Sequence, residues 1–94
     1  MIITRLSTHA ERQAQRRGIS ARTLDLVLNH SDRSQKLSGQ ARALWVSPKA
    51  RARLVWLGFP AAEVDRASGV RLIVHTADDV VMTVEHATAR RAWA

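Results

Sequence analysis

Ninety-four residues, 46% of them apolar, suffice for one domain of two packed layers and exclude both a second core and a disordered chain. Fifteen Lys and Arg against eight Asp and Glu give a net charge of +7, which favours a polyanionic partner: nucleic acid first, then an acidic protein, then an anionic membrane surface. The chain has no cysteine, which excludes disulfides, thiol catalysis and cysteine-held metal, and no apolar run has the length of a signal peptide or membrane span. No membrane partner is therefore expected, and a cytoplasmic location is.

Residues 2–6 read as a short extended lead-in. Ser7 or Thr8 then caps a first helix, with Glu11 three residues after Thr8 as in a capping box, and Gly18 ends it. Ser20 caps a second helix in which Leu24, Val27 and Leu28 form an apolar stripe. Two short strands follow around a turn at Ser38-Gly39. Ser47-Pro48 starts a third helix, since proline is tolerated at the first helical position. That helix runs to Leu57 before Gly58, and its inward face carries Ala50, Leu54 and Leu57. Pro60 opens a short fourth helix closed by Gly69. The last element is a hairpin, "VRLIVHT" and "VVMTVEH", turning at Ala77-Asp78-Asp79.

Pairing Thr76 with Val80 in that hairpin sets Val74 opposite Met82, Leu72 opposite Val84 and Arg71 opposite Glu85. Arg71, Ile73, His75, Val81, Thr83 and Glu85 then share the other face. The fold class is α+β: two N-terminal helices, a β-hairpin, one or two short helices and a C-terminal β-hairpin, forming a small, mainly antiparallel sheet.

The first helix is unusually basic. At 100° per residue, His9, Arg12, Gln13 and Arg16 fall within about one third of its circumference, while only Ala10 and Ala14 are available for packing. "AQRRGISARTL" also resembles the turn of a helix-turn-helix motif, but Gln13 and Arg17 stand where that motif needs apolar residues. A buried Arg17 without a partner would be costly. The histidines, at 9, 30, 75 and 86, show no metal-binding spacing, although Glu85-His86 could join a folded site; no metal and no cofactor are expected. Phosphate loops and nucleophile elbows are absent from the sequence.

Late in the chain, "TVEHATARR" brings Thr83, Glu85 and His86 close to Arg90 and Arg91. Carboxylate, imidazole and guanidinium together are the parts required for metal-free RNA cleavage. That reaction needs a base for the 2′-OH proton, an acid for the leaving 5′-oxygen and cations around the phosphorane.

Two motifs combine here. "HAERQAQRRGIS" and "VVMTVEHATARR" resemble a bacterial domain family of unknown function that opens with a HA-x-R…RG-[IL] helix and closes on a [VI]-[ILM]-T-V-x-H…R strand. The resemblance runs from about Thr8 to Arg91, and it includes a hairpin ending in an aromatic ("ARALWVS") and a basic helix ("PKARARL"). That family lies near the barnase–RelE-like ribonuclease and toxin superfamily. The resemblance implies that residues 1–94 are a single ribonuclease- or toxin-like α+β domain, with helices on one face of the sheet and an RNA cleft on the other. The family's motif positions fall on His9, Arg12, Arg17, Gly18, Thr83, His86 and Arg91. With no tyrosine in the chain, RelE-type chemistry that uses one is excluded, and no lysine pair flanks Thr83.

Taken with these residues, the resemblance implies the expected function: a small RNA-binding protein acting as a metal-independent endoribonuclease of toxin–antitoxin type. His9, Arg12, Glu85 and His86 are the candidate catalytic residues. Arg16, Arg17, Arg71, Thr83, Arg90 and Arg91 are the candidate nucleic-acid contacts, and an acidic antitoxin is a possible protein partner. The alternatives are a non-catalytic nucleic-acid-binding module using the same basic cleft, and an inactive structural domain that binds an acidic protein.

Overall fold

The computed structural model describes residues 5–86. The elements run β1 (Arg5–Leu6), α1 (Thr8–Arg16), α2 (Ala21–His30), β2 (Arg33–Lys36), β3 (Ala41–Trp45), α3 (Pro48–Trp56), α4 (Ala61–Ser68), β4 (Val70–His75) and β5 (Val80–His86). The five strands form one sheet in the order β1-β5-β4-β3-β2. Every pairing is antiparallel except β1 with β5, which is parallel. The expected α+β class holds. Among the described residues, no helix is long and apolar enough to cross a membrane.

The helices start and stop where local chemistry dictates. Ser7, Ser20 and Ser47 each cap a helix by accepting a backbone N–H from the third residue on, at 3.1–3.2 Å. The first helix therefore begins with Ser7 as its cap and Thr8 already inside it. At the other end, α1 and α3 finish in the same hydrogen-bonded turn. Ile19 and Gly18 donate to Ala14 and Gln15; Phe59 and Gly58 donate to Leu54 and Val55. Each turn needs a left-handed residue, supplied by Gly18 at φ +67 and Gly58 at φ +105.

These turns send Ile19 and Phe59 back into the protein. The main core lies between the sheet and α1, α2 and α4, where Ala10, Ala14, Ile19, Leu24, Val27, Ala67, Leu72, Val74, Val81 and Val84 are buried. A smaller cluster joins α3 to α4 through Val46, Ala50, Leu54 and Val64, and Phe59 packs against both clusters. Because Phe59 takes the inward place after α3, Leu57 is turned out, 57% exposed, instead of facing the core with Ala50 and Leu54.

The hairpin differs from its expected register at one point. Leu72 opposes Val84 and Arg71 opposes Glu85 as expected, but a shift between Ile73 and Val74 sets Val74 opposite Val81 and His75 opposite Val80. The additional residue on β5 bends the strand and turns Val81 onto the helix-covered face, where it is fully buried. Thr83 pairs with Ile73 and stays on the opposite face with Arg71, His75 and Glu85.

Asp32, just before β2, ties that strand to α3. Its two carboxylate oxygens accept the Ser47 N–H at 2.8 Å and the Ser47 hydroxyl at 2.5 Å, while the same hydroxyl caps the helix. Partial desolvation pushes the Asp32 carboxyl up, but the two Ser47 hydrogen bonds and the nearby Arg33 outweigh it and hold it below its usual value.

Two outcomes follow from these local arrangements. A Cβ at Gly18 would meet no atom within 4 Å, so Gly18→Ala is strained only through its backbone. It should lower stability by about 1 kcal/mol in urea unfolding, and Gly18→Asn by less. The depressed Asp32 carboxyl contributes stability in full above the unfolded value of about 3.9 and loses it as pH falls through the lower folded value. Asp32→Asn should therefore flatten the acid limb of a pH–stability profile measured by denaturant unfolding.

Candidate nucleic-acid interface

Helix α1 lies along the edge of β5 beyond the point where the two-residue β1 ends. A strand edge covered by a helix leaves backbone groups that need partners away from water. Ser7 N–H donates to the Val81 carbonyl at 2.9 Å. Further along, the Gln13 side-chain oxygen accepts the Val84 N–H at 3.0 Å, and Arg17 Nη1 donates to the Val84 carbonyl at 2.6 Å. Gln13 is thus buried beside Ala10 and Ala14, not turned outward with the basic residues. The same two contacts explain why polar Gln13 and Arg17 occupy positions that a helix-turn-helix would fill with apolar side chains.

The remaining candidates separate into distinct groups. His86 Nε2 lies 3.1 Å from the Arg17 carbonyl, which can only accept, so Nε2 carries the proton and donates. His86 therefore meets the C-terminal end of α1, about 12 Å of helical rise beyond His9. Glu85, its neighbour on the strand, faces the opposite side of the sheet. There it accepts from Arg71 Nε at 2.6 Å and Nη2 at 2.5 Å. With Arg71 18% and Glu85 32% exposed, the pair is more sheltered than the solvent-exposed cross-strand pair its register suggests. His9, Arg12, Glu85 and His86 are not gathered into one cleft, contrary to the expectation from sequence. Arg17 and Arg71 are both engaged within the fold, and Thr83 lies beside Ile73 on the Arg71–Glu85 face. Arg90 and Arg91 lie outside the described residues.

What α1 does present is compact. His9, Arg12 and Arg16 are all exposed, and with Thr8 and Gln15 they line one groove along the helix. None of the three has a salt bridge among the described residues, whereas Glu63, Asp65 and Glu85 are taken by Arg22, Arg51 and Arg71. A second groove, lined by Leu6, Ser7, Thr8, His75, Asp78, Val80 and Met82, shares Thr8 with the first. His75 Nδ1 lies 3.1 Å from Asp78 Oδ2 across the β4–β5 turn. The imidazole whose groove adjoins that of His9 is thus His75, which sequence reasoning placed on the sheet face but not in the site. Its signal was present: an Asp three residues after a His, spanning a tight turn. Among the described residues, no three His, Asp or Glu side chains group closely enough to hold a metal ion.

The arrangement at Val84 makes a direct expectation. Gln13→Leu keeps the side chain's approximate size but leaves the buried Val84 N–H unpaired. Urea unfolding should show a loss of about 1–3 kcal/mol, while Gln13→Glu, which retains an acceptor, should lose less. Compared with protein-family models, with curated proteins and with solved structures, this chain matches none.

Proposed function

We propose that this protein binds RNA through the basic groove on α1. The observation that carries the reading is the grouping of His9, Arg12 and Arg16 on one exposed helical surface, with no acidic partner among the described residues. Two guanidiniums one helical turn apart suit consecutive phosphates, because each offers a planar fork of donors. The net charge of +7 adds long-range attraction to any polyanion. The resemblance of "HAERQAQRRGIS" and "VVMTVEHATARR" to a family near the barnase–RelE-like ribonucleases and toxins favours RNA among polyanions. It also supplies the protein partner this reading implies, an acidic antitoxin that covers the same groove.

A second reading, metal-independent RNA cleavage of toxin–antitoxin type, is favoured by the two imidazole-bearing grooves that meet at Thr8. In that reaction the 2′-oxygen attacks phosphorus as His9 takes its proton. A 2′,3′-cyclic phosphate forms while the bond to the 5′-oxygen breaks, and the leaving oxygen takes a proton from His75. Arg12 and Arg16 offset the charge that develops on the phosphorane. Glu85 and His86 have no part in this version, since one is paired with Arg71 and the other donates to the Arg17 carbonyl.

Binding of a stem-loop RNA measured across a tenfold range of salt tests the first reading. Arg12→Ala and Arg16→Ala should each weaken all sequences alike and lower the slope of log K against log salt by about one. An affinity that does not change with salt, or that ignores both substitutions, overturns it. For cleavage, His9→Ala with an unchanged melting temperature should reduce turnover by about 100-fold or more while RNA affinity persists. Wild-type turnover in that folded variant removes His9 from the reaction.

A further inference from the structure

Helix α3 carries a second basic surface that neither the fold nor the α1 groove uses. Its inward side is made by Ala50 and Leu54, packed against Val46 and Val64. Lys49, Arg53 and Trp56 are spaced i, i+4 and i+7, so they line up along the outward side, and all three are exposed. Neither cation has a salt bridge among the described residues. The acids of the neighbouring α4 are already committed: Glu63 pairs with Arg22 and Asp65 with Arg51.

Trp56 stands out on this surface. It is 84% exposed, in a chain with only three tryptophans and one phenylalanine to spend on its interior. A tryptophan left in water offers the fold almost nothing, but it presents a full indole face to a flat partner. We infer that Lys49, Arg53 and Trp56 form a single-strand RNA site, in which the cations hold successive phosphates and an unpaired base stacks on Trp56. Charge complementarity selects the occupant: two unmatched cations leading up to an aromatic ring is the arrangement that binds single-stranded nucleic acid with little sequence preference. The inference rests on the RNA-binding reading, and it names unpaired strands as the form of RNA this second surface takes.

The test uses a fluorescent single-stranded oligouridylate and a duplex RNA of equal length as probes, with the intact protein. Trp56→Ala should weaken single-strand binding about tenfold, Trp56→Phe should keep most of it, and the duplex affinity should stay the same. Lys49→Ala and Arg53→Ala should each lower the single-strand salt slope by about 0.7. The exposure of Trp56 leaves the melting temperature of the variant unchanged, which separates lost binding from lost folding. Unchanged single-strand affinity in Trp56→Ala overturns the inference, and if the same variant instead loses binding to polyglutamate, the surface belongs to an acidic protein. If Arg12→Ala and Arg16→Ala alone reduce RNA binding, the α1 reading stands and this one fails. If Trp56→Ala and Arg53→Ala alone reduce it, this one stands and the α1 reading fails.

Discussion

The backbone N–H and carbonyl of Val84 are the point on which the N-terminal half of the molecule depends. Both face the open side of β5, where the two residues of β1 no longer reach, and α1 closes that side in place of a strand. Covering a strand edge with an apolar helix would strand both groups without partners. Gln13 and Arg17, one turn apart, satisfy one group each, while Ala10 and Ala14 let the helix approach closely enough for them to do so. The helix is therefore basic and polar for two different reasons. One side chain set is occupied with the backbone of β5, and the other is left facing solvent because the first fixes how the helix is rotated.

That division explains why the chain's arginines are not equivalent. Arg17, Arg22, Arg51 and Arg71 are engaged by a carbonyl or by carboxylates. Arg12, Arg16 and Arg53 have no salt bridge among the described residues. A total charge of +7 says only that cations exceed acids; the fold decides where the excess is displayed, and the outward sides of α1 and α3 are two of the places it does so.

Features set by neighbouring residues could be read from the sequence. Serine caps, proline at the start of α3, and glycines at 18, 39 and 58 act within one turn of chain, and each marks a boundary in the structure. The inner hairpin pairs were equally clear, because alternating apolar residues admit one register. The shift between Ile73 and Val74 was not, since a single extra residue on β5 is not dictated by the alternation of either strand. Leu57 misled for a related reason: apolar spacing continued past the point where the chain turned and Phe59 took the inward place. On the site, the angular grouping of His9, Arg12 and Arg16 was accurate, because helical spacing is local. The exclusion of Gln13 from that group needed knowledge of β5, 71 residues away in the chain. Glu85 and His86 part for a simpler reason: adjacent residues on a strand face opposite sides of the sheet.

The two margins of the sheet also bear on how the protein behaves when crowded. At one margin β2 presents Arg33, Ser34, Gln35 and Lys36, all exposed, on a strand of only four residues. At the other, the helix occupies the ladder positions of β5 that a foreign strand would seek. Strand addition from a neighbouring chain thus meets like charge on one side and an already occupied backbone on the other. Exposed cations on β2 and a helix along β5 both work against the edge-to-edge pairing that leads to domain exchange and fibrils. The helix that displays the basic groove is also the one that occupies backbone groups of β5 a foreign strand would seek.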